Sequence, residues 1–134
     1  MLSRFAGYAG VQLDLASRVA DQSGALRPIA QVLKTRGLME FHPGGAPGAG
    51  AVVLKELRVP AAAADVVIDE QPTDGAIAQR LADLEARARA NPGGAVGFAR
   101  PYPATLLRLG PWIGSLAGKG ITLVPVSALA REGP

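Results

Sequence analysis

The chain has 134 residues, of which 49% are hydrophobic and 19% charged, so it is long enough to bury a core as a single domain spanning residues 1–134. Cysteine is absent and histidine occurs once, which excludes disulfides, thiolate zinc sites, a cysteine nucleophile and a two-histidine metal motif. The net charge of +3 is spread over the chain, aromatic residues make up 4%, and no apolar run is long enough for a bilayer span, so we expect neither a nucleic-acid partner nor a membrane segment. We also expect no export signal in this chain, because no basic and apolar leader follows Met1.

The first half of the chain predicts two strands that alternate with two helices. These elements are a strand at 8–13, a helix at 24–36, a strand at 38–41 and a helix at 49–57. The apolar residues of the first helix recur at the spacing of one helical face, and Gly37 supplies its stop. A loop rich in glycine and proline follows His42, and its glycines match neither a dinucleotide-binding fingerprint nor a phosphate-binding loop.

The second half continues the alternation after Pro60, which we expect to break the chain. Its predicted elements are a strand at 65–68, a helix from the N-cap Thr73 to about residue 90, a strand at 95–99, a helix at 104–117 and a strand at 121–126. A strand followed by a helix-length connection and another strand favours parallel pairing. The sequence therefore predicts an α/β fold with a mainly parallel sheet, either an open sheet or part of a barrel.

Ligands of such folds bind beyond the carboxyl ends of the strands, and several polar residues of this chain fall there. They include Asp14, His42, Asp69, Glu70, Arg100 and Tyr102. We predict that His42 follows its strand in an exposed loop, where it is either structural or an acid–base group acting with Asp69. Asp69 either acts chemically or caps the next helix, and Glu70 is the weaker candidate because its side chain should point the other way.

Arg100 and Tyr102 place a cation and a phenol on a proline-stiffened loop. Such a pair suits the binding of a sugar or an anion through hydrogen bonds and stacking. An arginine that merely packs on the neighbouring tyrosine at the surface is the alternative. Asp14 occupies the corresponding position after the first strand and is a further candidate substrate-binding residue.

These same segments resemble the divergent polysaccharide deacetylases, a branch of a superfamily built on an incomplete (β/α) TIM-like barrel. Residues 27–38 look like a family helix and its following strand, and Asp65-Val66-Val67-Ile68-Asp69 looks like a characteristic strand end. Residues 97–105 read Gly-Phe-Ala-Arg-Pro-Tyr-Pro-Ala-Thr, similar to the family's Gly-x-x-His-Pro-x-Pro-x-Thr, and residues 119–127 continue the match. The resemblance covers the latter part of the family domain, without the early strand that carries an Asp-Asp motif.

Two imidazoles of the family pattern are missing from this chain. Leu13-Asp14-Leu15-Ala16-Ser17 stands where many members read Asn-His-Met-Gly-Ser, and Arg100 stands where the late motif has histidine. The superfamily's metal-assisted hydrolysis of acetyl groups needs His and Asp ligands, so we expect no metal cofactor in this chain and weak or absent catalysis. The resemblance implies a periplasmic or envelope-associated carbohydrate partner, with Asp69, Arg100 and Tyr102 facing the sugar.

Two further hypotheses come from other functional classes. The chain is a non-catalytic module that pairs with another copy or with a missing N-terminal half, because an incomplete barrel leaves sheet edges open. Alternatively, it is a small-molecule enzyme that uses His42 and Asp69 as its catalytic acid and base.

Overall fold

The computed structural model describes residues 7–13, 23–44 and 49–132. They form two compact units. Unit 1 contains the described residues up to Ala63 together with residues 130–132, and unit 2 runs from Ala64 to Leu129. That the chain acts as one domain stays a prediction.

Unit 1 is a four-stranded sheet that two helices accompany. Its elements are β1 (Gly10–Gln12), α1 (Ser23–Thr35), β2 (Met39–His42), α2 (Ala49–Glu56), β3 (Pro60–Ala63) and β6 (Arg131–Glu132). The strand order is β1-β2-β3-β6, in which β1, β2 and β3 are parallel and β6 runs antiparallel to β3. β2 and β3 are the two interior strands, and β2 is the more buried of the two.

The apolar faces of α1 and α2 both contribute to the core of unit 1. Leu26, Ala30 and Leu33 of α1 are buried as the helical spacing predicts, whereas Ile29 is 38% exposed. The cluster consists of Leu26, Ala30, Leu33, Leu38, Val53, Leu54 and Val59. Gly37 follows α1 with φ of +64°, a left-handed conformation that favours glycine. Leu38 N–H then donates to Leu33 O at 2.9 Å, which turns the chain directly from α1 into β2.

Unit 2 pairs two short strands with two long helices. Its elements are β4 (Val66–Val67), α3 (Asp74–Ala90), β5 (Gly97–Phe98), α4 (Pro103–Leu116) and the 3₁₀ turns Ala117–Lys119 and Val126–Ala128. β4 and β5 are parallel. Thr73 caps α3 as predicted, its hydroxyl accepting from Ala76 N–H at 3.4 Å. Ile68, Ile77, Leu81 and Leu84 fill the core with Val66.

The structure confirms an α/β fold with mainly parallel pairing, since three of the four ladders of the described chain are parallel. Two local predictions are wrong. Pro60 begins β3 rather than breaking the chain, because the first residue of a strand tolerates proline. Residues 121–125 are not a strand, because no neighbouring strand in the described part of the chain pairs with them.

None of the helices in the described ranges is both long and apolar enough to cross a bilayer.

Candidate functional site

The carboxyl ends of β4 and β5 bring Asp69 and Arg100 into direct contact. The strands are parallel, and Ile68 N–H donates to Phe98 O at 2.8 Å, so both chains leave the ladder at the same edge. Arg100 N–H then donates to Asp69 Oδ2 at 2.5 Å. The Arg100 guanidinium lies 3.3 Å from Asp69 Oδ1. The main-chain N–H and the guanidinium of Arg100 therefore contact different oxygens of the Asp69 carboxylate.

Asp69 is almost completely buried, and a third donor reaches it from α4. The Thr105 hydroxyl, itself fully buried, donates to Asp69 Oδ2 at 3.2 Å. A buried carboxylate without partners would be costly, and here three donors offset that cost. The carboxylate ties the end of β4 to the loop after β5 and to the first turn of α4.

The same contacts hold Arg100 and Tyr102 at the surface of unit 2. The side chain of Arg100 is 45% exposed, and its guanidinium lies over the Phe98 ring, 5.6 Å from the centroid. Tyr102 is 43% exposed, and its N–H donates to Arg100 O at 2.8 Å. Pro103 begins α4 directly afterwards. The loop thus presents a guanidinium fork and a phenol to solvent from a fixed backbone.

His42 lies in unit 1, and its surroundings differ from the prediction. It is the last residue of β2 and is 4% exposed, so the expected exposed loop position is wrong. The reason is that β2 extends one residue beyond its predicted end, between β1 and β3. Among residues 7–13, 23–44 and 49–132, neither ring nitrogen has a hydrogen-bond partner.

Glu40 is a buried acidic residue that the sequence reasoning did not select. It is 2% exposed, and its Oε1 has no hydrogen-bond partner within the part of the chain that the structure describes. Burial raises the pKa of Glu40 to about 7. The signal available in the sequence was a carboxylate inside the apolar run Leu38-Met39-Glu40-Phe41, two residues from the histidine and therefore on the same strand face.

The structure brings together some of the predicted site residues. Asp69, Arg100 and Tyr102 share one loop cluster in unit 2, whereas His42 belongs to unit 1. The joint acid–base role of His42 and Asp69 stays a prediction, as do the individual roles of both. Asp14 lies outside the described residues. Glu70 is exposed and pairs with Arg80 at 3.1 Å.

Glu85 forms a second buried acidic cluster in unit 2, and it links α3 to α4. Its Oε1 accepts from Trp112 Nε1 at 2.8 Å and from Lys119 Nζ at 2.6 Å. The hydrogen bond from Lys119 is the main cause that lowers the pKa of Glu85, against the opposing effect of burial. The hydrogen bonds from Trp112 and Lys119 therefore explain why the Glu85 carboxylate can be buried.

The described residues do not fit the divalent metal that the resemblance implies for catalytic relatives. Among residues 7–13, 23–44 and 49–132, no three side chains of His, Asp or Glu lie together where they could hold a metal ion. Asp69 directs both oxygens at hydrogen-bond donors, one of them the cationic Arg100, which opposes a second cation nearby.

Comparisons with known proteins give a family and a fold. A sequence profile described as divergent polysaccharide deacetylase matches residues 1–130. A search of curated proteins gives no match. The chain is similar to the crystal structure of an uncharacterized protein from Agrobacterium tumefaciens C58, with 33% identity and a TM-score of 0.84. The similarity covers 91% of this chain and 50% of that protein, so the chain spans about half the length of the solved structure it matches.

Proposed function

Because the chain belongs to the divergent polysaccharide deacetylase family, we propose that it binds an N-acetylated glycan of the bacterial envelope through Arg100 and Tyr102, with weak or absent catalysis. We infer the glycan ligand and the periplasmic or envelope location from the family resemblance. The loop after β5 supplies the binding groups.

The occupied carboxylate of Asp69 is the observation that carries this proposal. A general base or a metal ligand needs a free lone pair directed at its substrate or ion. The side chain of Asp69 instead has no exposed surface. Both of its oxygens accept hydrogen bonds from Arg100, and Oδ2 also accepts one from Thr105, so none of the carboxylate is open to a ligand in solvent. In this proposal Asp69 is a positioning residue that fixes Arg100.

The exposed groups suit a neutral, hydroxyl-rich partner. A guanidinium offers several donors in one plane to sugar hydroxyl or acetyl oxygens, and a phenol ring stacks on the apolar face of a pyranose. The side chain of Arg100 is 45% exposed while one guanidinium nitrogen contacts Asp69. In this proposal the remaining guanidinium N–H groups bind the glycan.

Calorimetric titration with an N-acetylglucosamine oligomer tests the proposal, with the de-N-acetylated oligomer as the comparison ligand. We expect Arg100→Ala to weaken binding about tenfold, equivalent to about 1.4 kcal/mol. Arg100→Lys should weaken it nearly as much, because lysine keeps a charge near Asp69 but loses the planar fork. Tyr102→Ala should weaken binding through lost stacking.

Arg80 provides a matched control within unit 2. Its side chain is 47% exposed and pairs with Glu70, much as Arg100 pairs with Asp69. Arg80→Ala should leave the affinity within twofold of the wild type. Equal losses in Arg80→Ala and Arg100→Ala, or no binding of the acetylated oligomer by the wild type, would contradict the proposal.

A second candidate function is assembly, favoured by the unpaired segment at residues 121–126. Its residues have the composition of a strand, yet within the described chain Thr122, Leu123 and Val124 make no backbone hydrogen bond. Ile121 N–H donates to Leu116 O, and the carbonyls of Pro125 and Val126 accept from the turn that follows. Leu123 is 61% exposed, and Val124 and Val126 are exposed too. We propose that this segment pairs with a second copy of the chain, which would bury the apolar side chains and satisfy the free N–H groups.

A further inference from the structure

One cavity of unit 2 is lined both by β5 and by the segment at residues 122–124. Its volume is about 600 Å³, and most of its lining is apolar. Gly97 of β5 and Leu123 and Val124 of the segment all belong to this lining, together with side chains of α3 and α4 such as Leu84 and Trp112. Two stretches of backbone that end no ladder with each other therefore border one apolar space.

The first stretch, β5, has a strand partner on one side only. In the described part of unit 2, β4 and β5 form a two-stranded sheet. Val96 O accepts from Val66 N–H at 3.3 Å, and Phe98 O accepts from Ile68 N–H at 2.8 Å. Because alternate residues of a strand direct their backbone groups to the same side, Gly97 directs its N–H and C=O away from β4. Gly97 is also exposed, so this edge is open to another strand.

The second stretch, residues 122–124, is held at both ends. Ile121 N–H donates to Leu116 O at 3.1 Å, and Pro125 O accepts from Ala128 N–H at 2.9 Å. Between these contacts, residues 122–124 make no backbone hydrogen bond to any described residue, and all three are exposed. Their composition, Thr-Leu-Val, is typical of a strand. The segment thus combines a strand-forming sequence with unpaired backbone groups.

A single inserted strand would pair with both stretches at once. It would form one ladder with the open edge of β5 and a second with residues 122–124. If residues 122–124 instead closed onto β5 of their own chain, only one ladder would form and the outer edge of the segment would stay unpaired. A small apolar ligand would fill the space without pairing any backbone group. The cavity is therefore best suited to a polypeptide strand with apolar side chains.

A second copy of the chain carries such a strand, namely its own residues 122–124. A twofold axis that pairs the two segments with each other also places each segment beside β5 of the other copy. The strand order is then β4, β5 and the segment of the second copy, followed by the segment of the first copy and by β5 and β4 of the second. Three new ladders form for two chains, whereas closure within each chain gives two.

We propose that two copies exchange residues 122–124 in this way, each segment entering the cavity of the other copy. The inference rests on the assembly proposed above and adds the surface that receives the segment, which is the open edge of β5. The charged residues described in the cavity lining are Glu85 and Arg89, and they form an ion pair at 3.6 Å. An uncharged apolar strand therefore meets no unpaired charge in the lining.

Hydrogen exchange of the Gly97 amide tests the proposal, measured by NMR on the full chain below and above the dissociation constant that light scattering gives. We expect exchange at least tenfold slower above that concentration, because the exposed Gly97 N–H gains an acceptor only in the exchanged dimer. The Ile68 amide is the internal control. It already donates to Phe98 O, so its exchange should be the same at both concentrations.

The outcomes separate this inference from the assembly on which it rests. A dimer in which Gly97 exchange is unchanged would overturn the exchange of segments and leave assembly standing. Slow Gly97 exchange at every concentration would show closure onto β5 of the same chain and would also overturn it. A chain that is monomeric throughout would overturn both.

Two aspartate variants supply a matched comparison within unit 2. Leu123→Asp should abolish the concentration dependence of Gly97 exchange, because a carboxylate enters the apolar cavity. Leu107→Asp should keep it, since Leu107 is 76% exposed on α4 and does not line this cavity. Equal effects of the two variants would contradict the proposal. If Leu123→Asp did not fold, the wild-type comparison of Gly97 with Ile68 would still decide.

Discussion

At the scale of single residues, Asp69 determines how the candidate glycan site is held. Its carboxylate is buried and bonded to the main chain and side chain of Arg100 and to Thr105. The exposed ion pair of Glu70 and Arg80 begins one residue later and is open to solvent on both sides. We therefore expect the loss of Asp69 to lower the free energy of unfolding more than the loss of Glu70. The reason is that a group left without its partner is more destabilising when it is buried.

Asp69→Ala should lower the free energy of unfolding by about 3 kcal/mol, because it leaves Thr105 and the Arg100 N–H without acceptors in a buried place. Glu70→Ala should lower it by less than about 1 kcal/mol, as is usual for an exposed ion pair. Urea unfolding of both variants at neutral pH measures the difference. Equal losses would show that the Asp69 contacts contribute no more than surface ones.

The sequence predicted part of this residue-scale arrangement. Strand ends in a parallel fold share one edge, so the proximity of Asp69 to Arg100 and Tyr102 followed from the order of elements. The burial of His42 did not, because strand length depends on pairing with β1 and β3 rather than on local composition. Glu40 was missed for the same reason, since a charged residue in a short apolar run does not reveal which face is covered.

At the scale of elements, the helices were easier to predict than the strands. α1 and α3 carry apolar faces with recognisable ends, and their bounds agree closely with the pattern. Strands depend on partners distant in sequence. Residues 121–125 have strand composition without a ladder, whereas β3 forms from Pro60–Ala63 despite its weak composition because β2 pairs along it.

The unpaired segment at 121–126 leads to a prediction on assembly. Wild-type chain should form a dimer in light scattering, and Leu123→Asp should raise the dissociation constant at least tenfold, because a carboxylate in an apolar interface loses its hydration. Val52→Asp is the control, since Val52 is 59% exposed but lies on α2. A wild-type chain that stays monomeric at every concentration measured would contradict pairing between copies.

At the scale of the whole molecule, both units contain parallel strands and buried polar groups. In unit 2 the buried carboxylate of Asp69 accepts three hydrogen bonds, and the side chain of Arg100 that it holds is exposed. In unit 1 Glu40 Oε1 and both ring nitrogens of His42 are buried without a hydrogen-bond partner among the described residues. The family profile matches residues 1–130 of the chain and so extends over both units.

The central claim is that the chain recognises an N-acetylated glycan without a metal. The most direct measurement is calorimetric titration of the full chain with an N-acetylglucosamine oligomer, with and without a chelator, beside titrations with zinc, cobalt and manganese. We predict the same glycan affinity in both conditions, no tight metal binding, and at most trace release of acetate. Glycan binding abolished by the chelator, or micromolar one-to-one metal binding that is lost in both Asp14→Ala and His42→Ala, would contradict the account.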